Sequence, residues 1–145
     1  MFKHILVPTD GSEQSLRAAR VGVEMAKHFG AHVHGFHVLA PLSSVNYFSD
    51  QIRHAPEDYR SQAIAQAQHQ LETIHALAME LGVPFDSSYS FDHRPYTAIV
   101  GEAKKRQCDL IVMGTHGRTG FDRLVLGGET NKVLSCADMP VLVCH

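Results

Sequence analysis

Asp109-Leu110-Ile111-Val112-Met113-Gly114-Thr115-His116-Gly117-Arg118-Thr119-Gly120 is the stretch that decides the fold. Its apolar run between Asp109 and Gly114 predicts a strand buried on both faces, and the glycines that follow predict an exit into a loop. Glycine there lets main-chain N–H groups approach a bound anion closely. A helical pattern that resumes after Gly127-Gly128 adds roughly half a unit of positive partial charge at its N-terminus. Strand, glycine loop and helix start, in that order, make a phosphate-binding design built from backbone.

Working outward, strand and helix signals alternate along the whole chain. Ile5-Leu6-Val7 predicts a buried strand that ends at Pro8, and Thr9-Asp10-Gly11-Ser12 predicts a turn carrying a helix N-cap. Leu16, Ala19, Val23 and Ala26 then keep helical spacing up to Phe29-Gly30. Residues 32–39 predict a second strand, and 41–55 a loop of the length that carries function or moves. The longest helix is predicted over 57–81, where Tyr59, Ala63, Ala67, Leu71, Ile74, Ala78 and Leu81 form one apolar stripe closed by Gly82 and Pro84. Residues 85–90 predict a strand, Pro95 opens a short helix to Arg106, and a helix after Gly127 runs toward Ala137. Pro140 breaks it, and Val141-Leu142-Val143 predicts a fifth strand. The order β-α-β-α-β-α-β-α-β predicts an α/β fold, a doubly wound five-stranded parallel sheet with helices on both faces. In such sheets ligands sit outside the carboxyl ends of the strands at the topological switch point.

Composition narrows the classes. With 145 residues, 44% hydrophobic and 19% charged, residues 1–145 are expected to form one globular domain. A net charge of −2 offers no strong attraction to nucleic acid or to an anionic membrane, so neither is an expected partner. The apolar runs fall short of a membrane span and the start passes straight into a strand, so a cytoplasmic location is expected. Cys108, Cys136 and Cys144 are too scattered for a disulfide framework and are expected as reduced thiols. Of the 11 histidines, His32 and His34 fall on one strand face at a spacing suited to joint coordination. No matching carboxylate or cysteine cluster accompanies them in sequence, so no metal site is expected. No Gly-x-Ser-x-Gly elbow is present and no catalytic residue is assigned. Lys104-Lys105-Arg106 reads as a solvated helix end that complements the helix dipole.

The loop spacing is Gly114, two residues, Gly117, nine residues, Gly127, which matches neither a Walker A loop nor a dinucleotide fingerprint. Together with Pro8-Thr9-Asp10-Gly11-Ser12, the block from Leu110 to Arg118 and the terminal Pro140-Val141-Leu142-Val143, it resembles the universal stress protein (UspA-like) family, ATP-binding branch. The resemblance spans the chain and implies strand order 3-2-1-4-5, a homodimer paired through Val141, Leu142 and Val143, and an adenine nucleotide as ligand. That ligand would be ATP, or AMP or ADP, with Mg accompanying a triphosphate. Cofactor-binding positions carried over are Pro8, Thr9, Asp10, Val38, Met113, Gly114, His116, Gly117, Arg118, Gly127, Gly128, Glu129 and Thr130. Asp10 would accept from the ribose hydroxyls, the main chain of Val38 would read adenine, Gly114 and Gly117 would line ribose and phosphates, and residues 127–130 would close over the outer phosphates.

The sequence departs from that pattern at Gly128, where serine or threonine is usual. One neutral hydrogen bond is worth about 0.5–1.5 kcal/mol, so affinity falls without binding being abolished. Thr130 offers a replacement hydroxyl. The Glu129 carboxylate either repels phosphate by turning inward or points to solvent. Asp10 reads equally as a turn former or a ligand contact, Arg118 as a phosphate ligand or a solvated side chain, and His116 as a residue that orders the loop. The expected function is a non-catalytic or barely catalytic nucleotide-binding module in stress response or signalling. One alternative is a slow ATPase or phosphotransferase using Asp10, Glu129 or His116. Another is a dimeric interaction protein that has lost nucleotide.

Overall fold

The computed structural model describes residues 1–42, 56–115 and 127–145. Its elements run β1 (His4–Thr9), α1 (Glu13–Phe29), β2 (His32–Leu39), α2 (Pro56–Leu81), β3 (Phe85–Phe91), α3 (Pro95–Lys105), β4 (Leu110–Gly114), α4 (Gly128–Cys136) and β5 (Val141–Cys144). All five strands are parallel, in the order β3-β2-β1-β4-β5. The loop expected over 41–55 lies, past Leu42, outside the described residues.

Side-chain alternation splits the interior into two layers. Ile5, Val7, Val33, Leu110 and Val112 face α1 and α2, packing on Val23, Ala26, Ile74 and Ala78. Leu6, Phe36, Ile111 and Met113 face α3 and α4, packing on Ile99, Ala103 and Val133. The stripe expected on the long helix is buried at Ala67, Leu71, Ile74 and Ala78 and half-buried at Tyr59 and Ala63. The helix therefore seals the sheet with its later turns and leaves its first turns beside a cavity.

The first strand does not stop at Pro8; it continues to Thr9, with Pro8 opposite Phe36. Proline in a central strand costs a ladder hydrogen bond unless the missing N–H falls where no partner waits. Lys3 O accepts from His32 N, and His4 O accepts from Asp109 N, so odd residues of β1 point to β2 and even ones to β4. Pro8 thus faces β4, whose register with β1 runs only through Ile5↔Leu110 and Leu6↔Ile111. The register stops there because the next pair would need an N–H that Pro8 lacks, and the crossovers leave in opposite directions at that point. In such sheets ligands sit outside the carboxyl ends at this switch point.

Candidate functional site

The turn after β1 is held by a directed series of hydroxyls. Ser15 Oγ donates to Ser12 O at 2.9 Å, Thr9 Oγ1 lies 3.0 Å from Ser15 Oγ, and Gly11 N donates to Thr9 Oγ1 at 3.1 Å. Ser12 caps α1 by accepting from Ser15 N at 3.2 Å. Asp10 Oδ1 accepts from Ser12 N at 2.9 Å, so its carboxylate shapes the turn. Gly11 has φ +81°, the left-handed region that a side chain disfavours.

Asp10 and Val38 line the same cavity, about 400 Å³, together with His37, Leu39, Ala40, Tyr59, Gln62, Ala63, Gln66 and Ala67. Tyr59 Oη donates to Ala40 O at 2.9 Å and ties the first turns of α2 to the end of β2. The backbone of Val38 has a definite direction. Leu39 O accepts from Asp92 N on the β3 side, so by alternation the Val38 N–H and C=O face the β1 side. The β1 register ends at Thr9↔His37, one residue earlier. By the same alternation the Val38 N–H is directed at Thr9 O in the ladder, and its C=O, past the last paired residue, is the acceptor that Val38 offers at the edge of the cavity, suited to the amino group of a purine.

The second wall is built from β4 and α4. A Cβ on Gly114 would lie 3.3 Å from the backbone carbonyl group of Gln14, so glycine lets the end of β4 approach the first turn of α1. Gly127 N donates to Thr115 O at 2.7 Å and Asn131 N to Gly127 O at 3.0 Å, which folds the start of α4 back over the end of β4. Thr130 is buried, and its hydroxyl donates to Gly114 O (3.0 Å) and Thr115 O (3.2 Å). That proton is spent inside the wall, so Thr130 fixes the helix start instead of standing in for the hydroxyl missing at Gly128. Glu129 adopts neither orientation expected of it. Its Oε2 accepts from Tyr96 N at 2.9 Å and its Oε1 lies 3.5 Å from Lys132 Nζ. The carboxylate caps α3, whose own N-cap Arg94 makes no capping bond through its side group. Pro8 and Thr9 are buried in β1, and Met113 packs into the α3/α4 layer. His116, Gly117 and Arg118 lie outside the described residues.

A family model described as the universal stress protein family matches residues 1–145. The protein is a member of that family. Universal stress protein MJ0531 of Methanocaldococcus jannaschii is 35% identical over 144 residues, 99% of this sequence and 82% of its own length. The solved structure of hypothetical protein MJ0577 has a TM-score of 0.80 at 26% identity, covering 99% of this protein and 96% of that one. A universal stress protein solved in complex with cAMP has a TM-score of 0.73 at 21% identity, covering 99% and 97% of the two proteins. One from Archaeoglobus fulgidus solved in complex with dAMP also scores 0.73, at 20% identity, covering 99% and 98%. At those identities the last two speak for the fold.

At the opposite end of the sheet this universal stress protein carries a polar cluster that its sequence spacing hides. Asp86 and Glu102, distant in sequence, stand beside His34. His34 Nδ1 lies 2.6 Å from Asp86 Oδ1, and Nε2 lies 2.8 Å from Ser88 Oγ, which donates to Glu102 Oε1 at 3.0 Å. Ser88 has one proton and gives it to Glu102, so it accepts from His34 Nε2–H, while Asp86 Oδ1 stands against the other ring nitrogen. Arg106 Nε donates to Glu102 Oε1 at 2.8 Å and NH1 lies 3.7 Å from Asp86 Oδ2, so Arg106 is part of this cluster and not a solvated helix end. His32 Nε2 approaches Asp86 Oδ1 to 3.1 Å but outside hydrogen-bond geometry. Burial alone would raise the Glu102 carboxyl, but hydrogen bonds from Arg106 and Ser88 and the charges of Arg106 and His34 outweigh it and hold the group below its ordinary value. Burial and the surrounding carboxylates push the Cys108 thiol up to about 11. Among the described residues no group of three or more His, Cys, Asp or Glu is arranged to hold a metal ion. The carboxylates beside His34 are consumed in hydrogen bonds.

Proposed function

We propose that this protein is an adenine-nucleotide-binding module, a single domain that takes ATP and signals through its loaded state as a cytoplasmic homodimer. One observation carries the reading. Asp10 and Val38 line one cavity at the carboxyl ends of the strands, and the carboxyl end of β4 is tied to the start of α4 by Gly127 N–H and the Thr130 hydroxyl. The carboxylate suits ribose hydroxyls, the Val38 carbonyl suits the adenine amino group, and the start of α4 suits phosphate. Gly127, Gly128 and the loop residues His116, Gly117 and Arg118 are proposed for the phosphate end, with Mg bound through the phosphates. The family's complexes with cAMP and dAMP support the choice of an adenine nucleotide.

The site is proposed to bind without turning over. Asp10 is engaged by Ser12 N–H and Glu129 by Tyr96 N–H, so neither carboxylate is placed as a base for an attacking water. Single-turnover assays with labelled ATP test this: phosphate release no faster than in a Gly117→Val control supports binding alone, and faster release supports a slow ATPase. The dimer is proposed through β5, an edge strand in which Leu142 is exposed and Val141 and Val143 are half-buried. Light scattering at a dimer mass supports it, and a monomer mass across micromolar concentrations overturns it.

A further inference from the structure

A glutamine on a surface helix ordinarily turns its amide to water. Gln70 of α2 turns inward and is half-buried. Its Oε1 accepts from His37 Nε2 at 2.6 Å, and since an amide oxygen only accepts, that imidazole nitrogen carries the proton. The same amide lies against Gly11: a Cβ built on Gly11 would run into Gln70 Nε2, Cδ and Oε1. One side chain of α2 is therefore fixed at one end by the buried His37 of β2 and fills the space over the left-handed residue next to Asp10. The cavity that Asp10 lines is also lined by His37 and by Gln66 and Ala67, both from the turn of α2 just before Gln70.

We propose that Gln70 is a positioning residue for ribose recognition, holding the Asp10-Gly11 turn through His37 so that the Asp10 carboxylate meets the 2′- and 3′-hydroxyls of a bound nucleotide. This rests on the nucleotide reading above. The turn's own anchors, Thr9 Oγ1 to Gly11 N and Asp10 Oδ1 to Ser12 N, close it from within. Gln70 closes it from outside, where glycine alone has wide freedom in φ and ψ. Without that amide the turn relaxes over Gly11 and the carboxylate loses the alignment that two adjacent hydroxyls require.

The test is calorimetric titration of Mg-ATP and of Mg-2′,3′-dideoxy-ATP, read as the ratio of the two Kd values. Wild-type protein is expected to prefer ATP by roughly tenfold or more, from two hydroxyls donating to a charged acceptor. Asp10→Ala brings the ratio near one. Gln70→Ala brings it within about twofold of one, and the Asp10→Ala/Gln70→Ala double variant goes no lower, as residues acting through one contact require. Gln70→Glu keeps an acceptor for His37 Nε2–H, and its added charge weakens both ligands alike, so the wild-type ratio is retained. A purely structural glutamine would shift melting temperature and leave the ratio unmoved. Gln70→Ala at the wild-type ratio while Asp10→Ala loses it overturns the inference. Equal wild-type affinity for both ligands also overturns it and leaves nucleotide binding standing. Binding of neither ligand overturns the functional reading itself.

Discussion

Glu129→Ala separates two descriptions of the phosphate end. In the structure the carboxylate is turned onto α3, accepting from Tyr96 N at 2.9 Å, with 43% of the side chain exposed. A hydrogen bond to a charged group contributes about 1.5–3 kcal/mol, and solvent screening at that exposure brings the expected loss to about 1 kcal/mol. For a protein of this size that lowers the melting temperature by about 2–4 °C. If the carboxylate instead faced bound phosphates, a like charge about 6 Å away at an effective dielectric of about 20 would repel by about 3 kcal/mol. Its removal would then tighten ATP binding roughly a hundredfold. Differential scanning calorimetry and titration with Mg-ATP on the same sample read both quantities. The expected result is the lower melting temperature with the ATP Kd unchanged within about threefold. Unchanged stability with ATP bound ten or more times tighter would refute the cap and restore the repelling carboxylate.

The folded Glu102 carboxyl titrates below its ordinary value of 4.5, so its contribution to stability is complete above that value and lost as pH falls through the lowered one. Wild-type protein should lose more melting temperature between neutral and acid pH than Glu102→Gln does, and parallel curves would contradict the cluster. Cys136 is exposed, whereas Cys108 is buried with its thiol pushed up to about 11. Iodoacetamide at mildly alkaline pH should label Cys136 and spare Cys108 until denaturant is added, as read by peptide mass spectrometry; early labelling of Cys108 would be inconsistent with this packing. Gly22 of α1 sits against β1, where a Cβ would lie 2.8 Å from Val7 Cγ2. Gly22→Ala should lower stability by about 1–3 kcal/mol despite alanine's better helix propensity, and a stabilised variant would show that the layer yields.

The fold was largely legible because strands buried on both faces write continuous apolar runs and helices write stripes. Leu110 to Met113 and the stripe from Ala67 to Ala78 both occupy the positions their periods imply. Pro8 misled by one residue: proline reads as a strand end, but here Pro8 faces β4, so the ladder to β2 carries the strand on to Thr9. Asp10 and Val38 come together in sequence only through the family resemblance, and the structure has both lining one cavity, Asp10 just past β1 and Val38 near the end of β2. The side-chain partners were not legible. Glu129 to Tyr96, Gln70 to His37 and His34 to Asp86 each join elements far apart in sequence, and no local spacing encodes which of several polar neighbours a side chain will choose. Arg106 shows the cost of a rule applied to residue type alone: a basic residue at a helix end reads as solvated, yet Glu102 one turn earlier accepts from it at 2.8 Å and the sequence-distant Asp86 stands 3.7 Å away.

The central claim, that the Asp10 and Val38 cavity takes an adenine nucleotide, is tested most directly by calorimetric titration of Mg-ATP into wild-type protein with Asp10→Ala as control. Low-micromolar binding of one nucleotide per subunit, weakened in the variant, is the predicted result. An absence of binding at millimolar ATP, or an affinity indifferent to Asp10, would contradict it.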